Sequence, residues 1–150
     1  MFGSEERAYL ETARVGRLAT VDGEGRPHAV PVCFAFADDH IVSPVDEKPQ
    51  DVPPDALRRS RNIEQNPRVT LVVDHYTEDW SRLGWVQVRG TATSCGPDDP
   101  SHADGVRALR RKYDQYATHA LDSRPLIRVA PGSVRSWGHL DYPDDAPRRP

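Results

Sequence analysis

The chain has 150 residues and a formal net charge of -3, enough length for one well-formed core and too little for two. Hydrophobic residues make up 37%, and the sequence pI near 6.0, with no sustained basic stripe interleaved with aromatics, argues against nucleic acid as the partner. Fourteen prolines and a charged, Pro-rich tail over 141–150 account for part of the low apolar content, and a small subunit of this kind can bury further surface by oligomerising.

Met1–Thr12 is acidic and polar, unlike a leader, and no apolar run approaches the roughly 18–20 residues that span a bilayer. A cytoplasmic protein is the expectation. Residues 4–14 read as a short helix, with Ser4 as N-cap and Ala8, Leu10 and Ala13 among its apolar positions. Arg17–Val21 reads as a strand, Asp22-Gly-Glu-Gly25 as a turn, and Pro27–Phe36 as a second strand, giving a hairpin. Pro27 and Pro31 cannot donate to a ladder, which assigns that strand to an edge, a bulge or a barrel rim. Cys33, inside the apolar run 30–36, is expected to be a buried, reduced thiol. A turn at 37–40 leads into a third strand, Ile41–Val45.

After a Pro-rich connection over 49–54, a short helix is expected to start near Pro54 or Asp55. Ala56, Ser60 and Ile63 form its buried face and the arginines point elsewhere; Asn66-Pro67 stops it. Val69–Val73, continuing through Asp74, His75 and Tyr76, is expected to be a central strand. A loop follows over 77–82, then a strand over 85–94. Ser101 and Asp104 have capping-box spacing, and Val106, Leu109, Tyr113 and Tyr116 recur on one helical face. Segments 126–130 and 134–137 close the set. Short strands joined by hairpin turns predict a mostly β protein, an antiparallel sheet of about six strands closing as a small barrel. Residues 1–140 are read as one domain and 141–150 as a tail.

The chemistry is less legible. No GxSxG, HExxH, Walker A or helix-opening GxGxxG occurs, and the six histidines lack metal-ligand spacing, so no metal site is expected. Without a nucleophile or acid–base pair, any redox chemistry falls to an organic cofactor. The segment from Lys48 to Arg68 concentrates Lys48, Arg58, Arg59, Arg61 and Arg68 with Asn62, inside an acidic protein. Such a cluster beside a sheet suits a phosphate-bearing ligand, Arg as a bidentate partner and Lys as a point charge. Arg58 and Arg68, like Arg110–Lys112, are read as solvated.

The ordered series Arg17-Leu-Ala-Thr-Val21, Gly25-Arg-Pro-His-Ala-Val-Pro-Val32, Ile41-Val-Ser-Pro-Val-Asp-Glu-Lys48, Arg61-Asn-Ile63 and Asn66-Pro-Arg-Val69 resembles the pyridoxamine 5′-phosphate oxidase-like split-barrel proteins. Within that superfamily, Asp46-Glu-Lys-Pro49, Asp74-His-Tyr76, Asp79-Trp80 and Trp85 resemble the actinobacterial deazaflavin-dependent oxidoreductases. The resemblance spans roughly residues 12–138. It implies a six-stranded split β-barrel, a homodimer with the cofactor at the subunit interface, and hydride transfer between reduced coenzyme F-420 and a small organic acceptor. The implied cofactor-binding residues are Val30, Pro31 and Val32 along the ring, and Lys48, Arg59, Arg61 and Asn62 at the phosphate or acidic tail. Trp80 and Trp85 are implied on the substrate side, with His75 and Tyr76 as candidate proton donors. An FMN-binding oxidoreductase of the same fold, or a non-catalytic flavin or deazaflavin carrier, is the alternative. FMN-using oxidases of the superfamily carry an Arg early in the second strand and a Lys at its end, where this chain has apolar residues and Cys33. That departure favours the deazaflavin.

Overall fold

The computed structural model describes residues 1–45 and 58–142. Among the described residues three α-helices, α1 (Ser4–Thr12), α2 (Arg58–Gln65) and α3 (His102–Lys112), accompany seven strands. The strands are β1 (Gly16–Val21), β2 (Pro27–Val32), β3 (Ala35–Ala37), β4 (His40–Pro44), β5 (Arg68–His75), β6 (Gly84–Cys95) and β7 (Leu126–Gly138). All pairings are antiparallel, in the order β2-β1-β5-β6-β7-β4-β3.

This order forces closure. Laid flat, β2 and β3 would lie some 29 Å apart, six inter-strand spacings of about 4.8 Å. They are consecutive in the chain, separated only by Cys33 and Phe34, a reach of about 10 Å. The sheet therefore curls until its two outer strands meet at a seam that is covalent rather than hydrogen-bonded. The result is a split barrel. Pro27 and Pro31 lie on β2, whose only strand partner among the described residues is β1. Since the Asp22 N–H bonds the Arg26 carbonyl, the pairs Val21–Pro27 and Arg17–Pro31 fall at the alternate, non-hydrogen-bonded positions, where a missing N–H costs no ladder bond.

Two expectations about strand count change. The segment 27–36 is not one strand: it breaks at Cys33-Phe34 where the chain crosses the seam, and Cys33 is half-buried rather than buried. The segments 126–130 and 134–137 are one strand, because β7 runs unbroken along β6, absorbing a register shift at Arg89/Gly90. A side chain at Gly90 would collide with the Ala130 carbonyl, so the bulge needs glycine there. At the N-terminus, Gly3 rather than Ser4 is the N-cap of α1, its N–H bonding the Glu6 carboxylate at 2.9 Å.

The barrel interior is filled from alternate positions of the strands: Leu18, Val32, Ile41, Val69, Leu71, Val73, Val86, Val88, Ile127 and Val129, closed by Tyr9, Leu10 and Ile63 from the helices. A second core lies outside the wall, where Val106, Leu109, Tyr113 and Tyr116 pack on Ala35, Val42 and Leu126. These are the four residues that share a face in the sequence. Among the described residues no helix is long and apolar enough to cross a membrane.

Candidate functional site

Helix α2 packs on β1 and β6 at the end of the barrel that carries the β1–β2 turn. Its buried residues are Arg59, Asn62 and Ile63, at i, i+3 and i+4. The expectation that the arginines all point away from the buried face is therefore wrong for Arg59, which is only 6% exposed. Ser60 is half-buried, and Ala56 lies outside the described residues. Arg58 and Arg61 are exposed, as is Arg68 at the start of β5. Two residues apart means about 200° around a helix, so Arg59 and Arg61 cannot serve one phosphate from the same face.

Asn62 anchors the cluster. Its Nδ2 donates to Thr20 Oγ1 at 3.0 Å, and both side chains are buried. Thr20 lies cross-strand from His28, which is half-buried. Asn62 Oδ1 and His28 Nδ1 are buried without a hydrogen-bond partner among the described residues. Orphaned polar atoms of this kind are costly unless a ligand or water completes them. Gln65 ties the helix to the turn by accepting the Gly23 N–H at 2.7 Å. In the turn itself, Asp22 accepts from Arg26 Nε at 2.7 Å and from the backbone N–H groups of Glu24 and Arg26. The Arg26 bond, supported by those N–H groups, holds the Asp22 carboxyl down at about 2. Thr20, His28 and Gln65 were not among the residues picked from sequence. The Asp22–Gly25 turn sets the hairpin register, and counting back from it pairs Thr20 with His28, so that signal was present.

Val30 packs partly against the core opposite Leu18, Pro31 is exposed, and Val32 is 7% exposed opposite Gly16. Lys48 lies outside the described residues, as does the expected helix start at Pro54 or Asp55.

The residues implied on the substrate side occupy the other end of β5. The eight residues of β5, from Arg68 at its α2 end to His75, span seven steps, about 23 Å of strand. His75 Nε2 is 2.5 Å from the Arg82 carbonyl and Nδ1 is 2.7 Å from the Tyr9 hydroxyl. Nε2 must donate to the carbonyl, so Nδ1 accepts from Tyr9, whose hydroxyl burial pushes far above its ordinary range. Both ring nitrogens are thus engaged in tying α1 to the β5–β6 connection. Tyr76 and Trp80 are exposed and linked to each other, the Trp80 Nε1–H donating to the Tyr76 hydroxyl at 3.4 Å. Trp85 is not a core residue: Val86 and Val88 take the inward positions, and Trp85 faces outward, paired across strands with Asp74 and Trp137. It borders an open depression of about 450 Å³ with Arg17, Val72, Asp74 and Gln87, in which Arg17 and Asp74 form an ion pair at 3.0 Å. A neighbouring depression of about 510 Å³ continues that outer face over Ala19, Val21, Thr70 and Arg89. Among the described residues no cluster of three His, Cys, Asp or Glu could hold a metal ion.

The fold, closed by a covalent seam with a buried polar cluster under α2, has a counterpart in sequence: the family described as pyridoxamine 5′-phosphate oxidase matches residues 2–138. The chain belongs to the pyridoxamine 5′-phosphate oxidase family. A curated relative, the 5a,11a-dehydrotetracycline/5a,11a-dehydrooxytetracycline reductase of Streptomyces rimosus, is 30% identical over 138 residues, covering 91% of this chain and 83% of the reductase. Among solved structures, a conserved hypothetical protein of Mycobacterium tuberculosis superposes with a TM-score of 0.73 at 20% identity, covering 93% of this chain and 86% of the other. A heme storage protein of Vibrio cholerae superposes with a TM-score of 0.67 at 17% identity, covering 87% and 89%. At such identities the structural likenesses establish the shared split barrel of the family and nothing finer.

Proposed function

We propose that this family member is a deazaflavin-dependent oxidoreductase, cytoplasmic and homodimeric, that exchanges a hydride between coenzyme F-420 and an electron-poor carbon–carbon double bond. The observation that carries this reading is the buried Arg59–Asn62 face of α2 beside Thr20, in a family member whose sequence carries none of the GxSxG, HExxH, Walker A or helix-opening GxGxxG motifs. The donor set fits the cofactor's parts. Arg59 supplies the cation for a phosphate, and the orphaned Asn62 Oδ1 is an acceptor, suited to a hydroxyl of the sugar-alcohol chain rather than to an anion. Arg61, on the exposed face of the same helix, is assigned to the acidic tail, and Lys48 to the phosphate. Val30, Pro31 and Val32 form a strand whose edge away from β1 meets no strand among the described residues, which suits ring stacking with backbone bonds.

When bound, F-420 supplies the hydride; the chain's residues bind, orient and exclude water. The distance along β5 supports a site completed by a second copy, whose Trp80 and Trp85 would cover the substrate. The outer face bearing Val72, Trp85 and the Arg17–Asp74 pair is the surface assigned to that contact. The Tyr76 hydroxyl, exposed and bonded to Glu78 at 3.3 Å, is the better proton donor of the two candidates, since His75 has both nitrogens committed. The name of the Streptomyces relative points to an enone of a fused polycycle as the first acceptor to try.

Fluorescence-quenching titrations with F-420 and FMN test the reading. F-420 is expected to bind more tightly than about 100 μM (about -5.5 kcal/mol) and more tightly than FMN. If neither binds that well the reading fails, and if FMN binds better the FMN alternative replaces it. Tight F-420 binding with no oxidation of the reduced cofactor by any polycyclic enone marks a carrier.

A further inference from the structure

The cleft between α1, β3 and the C-terminal end of α3 shares no lining residue with the cofactor reading. It measures about 540 Å³, and its charged lining comprises Arg7, Glu11, Arg14, Asp38, Arg111 and Lys112. Arg7 is committed, to Glu11 at 2.9 Å and Asp39 at 3.7 Å. Arg14 stacks on the Tyr113 ring at 4.8 Å and Arg111 is exposed, and neither has a carboxylate partner among the described residues. The cleft therefore offers two guanidiniums to an anion.

Lys112 is the unusual member. It is half-buried, and its Nζ donates to the Leu10 carbonyl at 3.1 Å while resting over the Phe34 ring, 3.9 Å from its centroid, and over the Tyr113 ring, 5.4 Å from its centroid. An ammonium has three donors, and a single carbonyl with two aromatic faces is a poor substitute for water. A neutral amine needs only the Leu10 bond and keeps a lone pair. The charged and titratable groups that face it are Arg14 and Glu11 from the α1 side, the Cys33 side chain at the barrel seam, and Arg111 on its own helix. Burial first, then the Arg14 charge, bring the Lys112 amine down to about 7. A lysine desolvated beside another cation is the recognised arrangement for an amine nucleophile at neutral pH.

We propose that this cleft is a second ligand site, which takes an anionic aldehyde and holds it as a reversible imine on Lys112, with Arg14 and Arg111 binding the anionic group. The Nζ lone pair attacks the carbonyl carbon, and the carbonyl oxygen takes up a proton to give a carbinolamine. The hydroxyl then leaves as water with the remaining nitrogen proton, forming the C=N bond. No electrons are exchanged, and water reverses the step.

The chain holds two lysines, Lys48 and Lys112, so the test is clean. The full-length protein is incubated with glyoxylate and cyanoborohydride, and each lysine is followed by peptide mass spectrometry. Lys112 is expected to be alkylated about tenfold faster than Lys48 at pH near 7, with a rate that rises to a plateau above its depressed pKa. Formaldehyde, a neutral aldehyde, supplies the second arm. In the Arg14→Gln/Arg111→Gln variant the ratio of glyoxylate to formaldehyde rates at Lys112 is expected to fall about fivefold. That ratio cancels any change in amine basicity. Equal rates at the two lysines overturn the nucleophile, and an unchanged ratio overturns the anion site.

Discussion

Helix α2 and the end of α3 carry nearly the same text, Arg58-Arg-Ser-Arg61 in one and Arg110-Arg-Lys112 in the other, and the fold treats them differently. In α2 one cation, Arg59, turns inward beside a polar cluster, while Arg58 and Arg61 remain in solvent. In α3 two of three are engaged. Arg110 donates to the carbonyls of Tyr116 and His119, both at 3.0 Å, and pairs with Asp122 at 2.9 Å. Lys112 lies over Phe34, and only Arg111 is left exposed. The reading of Arg110–Lys112 as a solvated run is therefore corrected for Arg110 and Lys112. A basic run states how many charges a helix carries; its neighbours decide which of them leave water.

The contrast can be broken by substitution. Arg59→Ala is expected to have the largest effect, about 2–3 kcal/mol of stability, because a long buried side chain is lost. Urea denaturation would check it, and a change as small as that of Arg58→Ala would place Arg59 with the solvated cations. Next comes the pH dependence of Lys112. Its folded pKa lies below the unfolded value of about 10.4, so between pH 7 and that value the unfolded chain binds more protons and stability rises with pH. From pH 7 to 9 this contributes about 2 kcal/mol, and Lys112→Met is expected to remove that part of the slope in denaturation measured at both pH values. Arg110→Ala should cost about 1 kcal/mol, as the carbonyls of Tyr116 and His119 lose charged donors. Arg58→Ala and Arg111→Ala close the series, each within about 0.5 kcal/mol by thermal melting.

Acid sharpens the comparison from the other side. The depressed Asp22 carboxyl stabilises the turn that α2 leans on, and this contribution is present above the ordinary Asp range and lost as pH falls from about 4 toward 2. Asp22→Asn is expected to flatten the acid limb of the stability curve while leaving the alkaline limb to Lys112. If the two limbs moved together, the two regions would not be independent.

Much of the architecture was legible because it rests on local signals. Runs of β-branched and apolar residues placed β1 and β5, and alternation placed β6, within a residue or two; the Asp22–Gly25 turn set the first hairpin, and helical periodicity marked the four residues of α3 and its following turn that build the second core. The ordered motifs carried the family, which the match over residues 2–138 establishes. The candidate site was legible only in part. Arg59 and Asn62 do share a buried face, but Arg61 does not join them. His75 is committed to Tyr9 and Arg82.

By itself the sequence determined the antiparallel strands and the number of cations on each helix, since periodicity and turn chemistry act over a few residues, and its ordered motifs carried the resemblance to the family. Tertiary structure decided the seam at Cys33-Phe34, the seven-strand count and which cations are covered. Lys112 sits on a ring 78 positions away and bonds a carbonyl 102 positions away. Contacts that distant form only once the barrel has closed, and the pattern of neighbouring residues carries no trace of them.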